Sequence, residues 1–368
     1  MIPVCEPLVS KREEKLLVDC LRSGWISSSG KFLERFETEW AKYCGMKHGI
    51  AVSSGTAALS IAARLLDLKP HDEVIMPAFT IISCAQAIVE CGGVPVLVDS
   101  DPVNWQMDVS QIRQKITHRT RAIMVVHIYG HPADMEPVLD IADEFGLNVV
   151  EDAAEAHGAE YRGRKCGGMG DVSVFSFYAN KLITTGEGGM VLTQRDDLCE
   201  KARALRNLCF QKSRRFYHED LGYNFRMTNI QAALGVGQLE RIEQIVDRKR
   251  AIAMAYQERL GGVKGIVLPV EEEWAKNIYW VYGIVLDDST DMDAAQFAEC
   301  LAEVGIDTRP FFLGMHEQPV FQKMGLFNDN HFPVAERLSR QGLYLPTGLS
   351  IKESEINRVC KAVELCLA

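Results

Sequence analysis

Short apolar runs at 72–77, 94–99, 122–127, 147–152, 172–177 and 189–193 punctuate the first two thirds of the chain. Runs of this length with no alternation predict strands that are buried on both faces. Between several of them, 80–91 and 134–145 carry apolar residues at helical spacing. Strand alternating with helix predicts an α/β fold whose central sheet is mostly parallel and sandwiched by helices. In such sheets ligands gather beyond the carboxyl ends of the strands. Asp99, His127, Asp152 and Ser176 fall at or near those ends.

From about Leu239 the pattern changes. Residues 238–250 read as one long amphipathic helix with a charged outer face, 278–286 as a strand and 293–304 as a helix. This predicts a large domain at 1–240 and a smaller α/β domain at 241–368, with the first turn of chain packed on one of them. A length of 368 residues, beyond one ordinary domain, agrees with two.

A net charge of −10 argues against nucleic acid as the main partner, because phosphate backbones need a concentrated basic face. It leaves room for an anionic small molecule held by a few placed donors. The 11 cysteines show no paired metal spacing and predict buried, reduced thiols, with no metal site. The start of the chain lacks the basic-then-apolar pattern of a secretory signal, and no apolar run reaches the length of a membrane span. A cytosolic protein is the simplest expectation.

Two of the strand ends carry candidate chemistry. Lys181 lies in the glycine-rich stretch after 172–177, and Asp152 closes the run 147–152 twenty-nine positions upstream. An amine and a carboxylate so placed match the needs of pyridoxal phosphate: a lysine to form an imine and an acid to keep the pyridine nitrogen protonated. Each residue alone is better read as a surface lysine or a salt-bridged aspartate; the combination changes the odds. Glu155 would face the same ligand if the chain turns after Asp152, and would share a proton with a neighbouring phenolate; a plain surface glutamate is the rival. Ser53, Ser54, Gly55 and Thr56 open a helical pattern, where free backbone N–H groups make a phosphate site, although serine is favoured there as a simple cap. Ser176, five residues before Lys181, is a second phosphate donor. Asn224 and Arg226 sit in a short polar turn before a helix, with Arg226 able to grip a carboxylate or phosphate in bidentate fashion or to form an ordinary surface pair. His316 is as readily a satisfied structural histidine as a substrate contact.

Taken together, the residues resemble the DegT-type sugar-nucleotide aminotransferases among the fold-type I pyridoxal-phosphate enzymes. The resemblance runs from Ile2-Pro3-Val4 to the helix after Pro346. It is carried by Ser54-Gly55-Thr56-Ala57-Ala58-Leu59, His127-Ile128-Tyr129-Gly130, the segment from Glu151 to Gly158, Asn180-Lys181 with Gly186-Glu187-Gly188-Gly189, and the segment from Tyr223 to Thr228. Within the family the chain is most similar to GDP-perosamine synthases, which aminate C4 of a GDP-linked 4-keto-6-deoxymannose.

The resemblance implies a role for each position. Lys181 would carry the cofactor and move protons. Asp152 would meet the pyridine nitrogen, and Glu155 the phenolic oxygen. Gly55, Thr56 and Ser176 would hold the phosphate, and Asn224 would reach it from the second subunit of a homodimer. Arg226 and His316 would stand near the keto sugar or the amino donor, L-glutamate, which leaves as 2-oxoglutarate. Lysine at 181 also separates the chain from related dehydratases, which have histidine there. One position departs from the family: Ile81 stands where relatives place an aromatic ring over the cofactor. The rival readings are a fold-type I enzyme acting on a free amino acid or sugar, a C3 or C4 aminotransferase for a UDP- or dTDP-linked sugar, and a non-catalytic sensor built on the same fold.

Overall fold

The computed structural model describes residues 1–211, Arg214 and 216–367. Its central sheet has seven strands in the order His48–Val52, Gly189–Thr193, Val172–Ser176, Asn148–Asp152, Thr120–Val126, Glu73–Pro77 and Val94–Val98. Gly189–Thr193 pairs antiparallel with both neighbours, and the remaining pairs are parallel. The expected α/β architecture and its mostly parallel sheet are present, with one strand reversed.

Both faces of the sheet are covered, which is why its strands lack polar alternation. Every residue of Glu73–Pro77, Val172–Ser176 and Gly189–Thr193 is buried. Successive side chains alternate between faces. Val74 and Met76 join the core shared with Ala58, Leu59 and Ile61 of helix Gly55–Leu65, whereas Ile75 joins Val138 and Ile141 of helix Met135–Phe145.

Two helices precede the sheet, Lys11–Ser23 and Lys31–Tyr43, and both pack on helix Asn229–Leu239. Glycines inside that last helix allow the close approach. A Cβ on Gly235 would lie 2.7 Å from Phe36 Cζ, and one on Gly237 would lie 2.7 Å from Glu13 Cγ.

The amphipathic stretch expected as one helix at 238–250 is two. Asn229–Leu239 stops, the chain turns through Glu240 and Arg241, and Ile242–Leu260 follows. Apolar spacing runs on across the break through Leu239, Ile242, Ile245 and Val246, so periodicity does not show it. The guanidinium of Arg241 fills the turn by donating to Glu13 Oε1 and to the carbonyl of Leu8.

A second sheet of four strands, ordered Ile266–Val267, Tyr282–Leu286, Gly342–Leu345 and Arg309–Pro310, is wholly antiparallel. Tyr256 and Leu260, Phe297 and Leu301, and Ile356 and Val359 fill its core from three helices. Ile2 bridges to Ile306 and joins this core. Helix Ile242–Leu260 belongs to both parts: Ile242, Ile245 and Val246 enter the first core, and Ile252, Ala253 and Tyr256 the second. The strand expected from 278 begins only at Tyr282, because Tyr279 adopts a φ of 48° and turns Trp280 aside.

Cys300 and Cys366 are bonded to each other, which departs from the expectation of reduced thiols throughout; nine other cysteines are free. Among the described residues, no helix is long and apolar enough to cross a membrane.

Candidate active site

Several charged residues at the strand ends turn out to organise the backbone. Asp99 accepts from the N–H groups of Val334 and Ala335, capping the start of helix Pro333–Gln341. Ala133 N–H donates to His127 Nδ1, so the Nε2 proton of His127 points at Glu151 Oε2, 3.1 Å away. Glu151 also accepts backbone N–H groups from Gly167, Met169 and Gly170. Burial works to raise the pKa of Glu151, but the His127 bond and these donors outweigh it and hold the group ionised below the usual range.

Asp152 and Glu155 are directed elsewhere. After Asn148–Asp152 the chain turns tightly, with Ala156 N–H returning to the carbonyl of Ala153. Both carboxylates thereby face one cavity of about 360 Å³, which also takes in Ser54, Gly55, Thr56, Ile81, Ser176 and Lys181. Asp152 is 2% exposed. Its Oδ1 accepts from Ala154 N–H at 3.0 Å and its Oδ2 from the Cys84 thiol at 3.1 Å. Burial raises the pKa of this carboxyl, and the nearby donors and Lys181 only partly offset that. A cationic N–H presented from the cavity would relieve the penalty.

Lys181 sits on the loop after Val172–Ser176, its backbone N–H donating to the Tyr178 carbonyl. Its Nζ lies 3.5 Å from Glu155 Oε1 and 3.8 Å from the centre of the Trp280 ring. Trp280 also donates its indole N–H to the carbonyl of Asn180, 2.8 Å away, so one side chain braces both the loop and the amine. Glu155 is steadied by Tyr129 N–H, which donates to Oε2 at 2.8 Å. Burial raises its pKa, and Lys181 acts in the opposite direction.

The start of helix Gly55–Leu65 borders the same cavity. Ser54 caps helix Gly55–Leu65 by accepting Ala57 N–H, leaving the first-turn amides of Gly55 and Thr56 without partners inside the helix. A Cβ on Gly55 would lie 2.7 Å from Ser176 Cβ, so only glycine lets helix start and strand end meet there. The Thr56 hydroxyl is 3.1 Å from that of Ser83. His157 donates to the Ser176 carbonyl at 2.7 Å, and burial pushes its pKa down to about 3, which keeps it neutral. Ile81, 37% exposed, stands just before helix Ile82–Glu90 on the cavity wall. A group with an aldehyde, a protonated ring nitrogen and a phosphate fits this set of residues, because an amine, buried acids and free helix-start amides line one cavity.

Asn224, Arg226 and His316 lie apart from this cavity within one chain. Asn224 bridges to Asn207, and Arg226 donates to Asn207 Oδ1 at 2.6 Å beside a separate cleft that also holds Arg203 and Arg206. His316 is buried, with Nε2 3.2 Å from Glu336 Oε1 and its ring edge against Phe332. Among the residues that sequence reading left out of the site are Cys84, Trp280, Phe312 and Tyr344. Cys84 is an unremarked helix position and the other three come from distant segments of the C-terminal third, so no local pattern marks them.

The chain matches the DegT/DnrJ/EryC1/StrS aminotransferase family over residues 7–364. It is 40% identical to a GDP-perosamine synthase of Caulobacter vibrioides, covering 100% of this chain and 98% of the relative. It is 38% identical to a GDP-perosamine synthase of Vibrio cholerae, covering 99% and 98%. Among solved structures, DesV of S. venezuelae superimposes with a TM-score of 0.90 at 36% identity, covering 96% of this chain and 94% of that one. With the lysine, the acids and the free amides of a helix start in one cavity, the chain belongs to the DegT/DnrJ/EryC1/StrS aminotransferase family and is a pyridoxal-phosphate-dependent sugar aminotransferase.

Proposed function

We propose that the chain moves an amino group from L-glutamate to C4 of GDP-linked 4-keto-6-deoxymannose, yielding GDP-perosamine and 2-oxoglutarate. Three full-length relatives that carry the GDP-perosamine synthase name support this substrate. The observation that carries the chemistry is Lys181 Nζ, set between the Glu155 carboxylate and the Trp280 face in the cavity that Asp152 borders.

When bound, pyridoxal phosphate supplies an aldehyde that takes up the amine and a ring that stabilises negative charge on the adjacent carbon. Lys181 would hold that aldehyde and, once released, use Nζ to carry the proton between carbon atoms. Asp152, buried and short of a cationic partner, would meet the ring N–H and keep it protonated. Glu155 would share a proton with the phenolic oxygen, a role suited to a carboxyl whose pKa burial has raised. The amides of Gly55 and Thr56 and the Ser176 hydroxyl would receive the phosphate. Asn224 lies away from its own chain's cavity, which suits service in the second subunit of a homodimer, and we assign Arg226 to the same shared side. His316 would reach the amino donor only after its pair with Glu336 opens.

Turnover with L-glutamate and a panel of GDP-, UDP- and dTDP-linked 4-keto-6-deoxy sugars tests the proposal. The GDP-manno substrate is expected to give the highest kcat/KM; preference for a UDP or dTDP sugar, or amination at C3, would replace the substrate while leaving the reaction class.

Ile81 offers a second check on the cavity. Ile81→Tyr adds a ring where the aliphatic side chain now borders the cofactor space, worth about 0.5–1.5 kcal/mol if it stacks. Equilibrium dialysis is expected to show unchanged or tighter cofactor retention. A large loss would place Ile81 somewhere other than over the cofactor ring.

A further inference from the structure

The carboxylate assigned to the ring nitrogen is itself held from behind by a thiol. Cys84 lies on helix Ile82–Glu90, is wholly buried, and places Sγ 3.1 Å from Asp152 Oδ2. The buried hydroxyl of Thr80 lies 3.6 Å from the same sulfur. An ionised carboxylate only accepts, so Cys84 is the donor and Thr80 O–H is free to point at its sulfur. The three groups form a one-way chain, Thr80 to Cys84 to Asp152, in which each bond polarises the next. Burial and the Asp152 charge both raise the pKa of the thiol, keeping its proton in place.

We propose that Cys84 is a positioning residue, whose S–H fixes the rotation of the Asp152 carboxylate so that its remaining lone pairs face the cofactor ring. The inference rests on the reading that Asp152 meets that ring nitrogen. With Ala154 N–H alone on Oδ1, the carboxylate would keep a single anchor and be free to swing about its terminal bond. A thiol is a weak donor, so it orients the acid while withdrawing little of the charge that the ring nitrogen needs.

A double-mutant cycle on cofactor affinity tests this, using Cys84→Ala, Cys84→Ser, Asp152→Asn and the Cys84→Ala/Asp152→Asn pair. Dissociation constants for pyridoxal phosphate are measured by dialysis and by the visible absorbance of the bound form. Cys84→Ala is expected to weaken retention roughly three- to tenfold, and Cys84→Ser, which keeps a donor of similar size, to stay within roughly twofold of the parent. In the Asp152→Asn background the alanine change is expected to cost less, because a charged acceptor is no longer there to orient. Parent-like affinity in Cys84→Ala, equal losses for alanine and serine, or an undiminished loss in the Asp152→Asn background would each overturn the proposal. Should Cys84→Ala not fold, Cys84→Val fills the space without a donor and takes its place in the cycle. If the parent protein itself fails to bind pyridoxal phosphate, the reading of the site fails; if it binds normally and only the Cys84 expectations fail, this inference alone is lost.

Discussion

Lys181→Ala is expected to abolish amino transfer and to remove the visible absorbance band of the cofactor's imine with lysine. Two functions are lost in the same atom. Nζ is the amine that faces the cavity beside Glu155 and Trp280, and under the proposed function it would also be the base that moves the substrate proton. Proton transfer by a positioned side chain contributes about 10²–10⁴-fold, and losing the covalent hold on the cofactor comes on top of that. Single-turnover measurements with glutamate, followed by absorbance, separate the two losses. Fold stability should change little, because the amine is partly exposed and its partners Glu155 and Trp280 keep Tyr129 N–H and the Asn180 carbonyl respectively. Turnover retained within tenfold of the parent, about 1.4 kcal/mol in activation free energy, would refute the assignment of Lys181.

The second large effect is expected at Asp152, where activity and stability should part company. Asp152→Asn keeps the shape and removes the charge that would hold the ring nitrogen protonated. By analogy with the removal of one preorganised electrostatic partner, turnover should fall about 10²–10³-fold. The cofactor-free protein should behave differently. Burial raises the folded pKa of this carboxyl above its unfolded value, so ionised Asp152 costs stability at neutral pH. That cost is fully present above the raised folded value and disappears below the unfolded one, near about 3.9. A neutral amide escapes it, although its NH₂ must then face one of the two donors, Ala154 N–H or Cys84 S–H. Thermal unfolding of cofactor-free protein at neutral pH should therefore show the variant equal to or above the parent. A loss beyond about 2 kcal/mol would mark Asp152 as a structural cap of the turn, since large losses come from breaking a required buried contact.

This separation of activity from stability follows from where the charges lie. Glu151 and Asp152 are adjacent and both buried, yet their environments drive them apart. Glu151 has three backbone donors and His127, enough to hold it ionised inside the protein. Asp152 has two donors, one of them a thiol, and its pKa is raised. The under-supplied acid is the one left open to the cavity.

The linear chain alone set the alternation of buried strands and helices, because a sheet covered on both faces leaves continuous apolar runs that need no other explanation. It also determined the family, through Ser54-Gly55-Thr56, the segment from Glu151 to Gly158 and Asn180-Lys181, where chemistry restricts the residue types at short spacing. The features that emerged only on folding depend on distances across the chain. The reversed strand Gly189–Thr193 looks in composition like the parallel strands of the same sheet, because pairing direction leaves no mark on a fully buried run. The turn at Glu240 and Arg241 hides inside an unbroken apolar period and becomes visible only where Arg241 meets Glu13. Trp280 reaches Lys181 from about a hundred residues away and Cys84 reaches Asp152 at the carboxyl end of the central strand Asn148–Asp152, because folding makes neighbours of residues whose local sequence gives no sign of the contact.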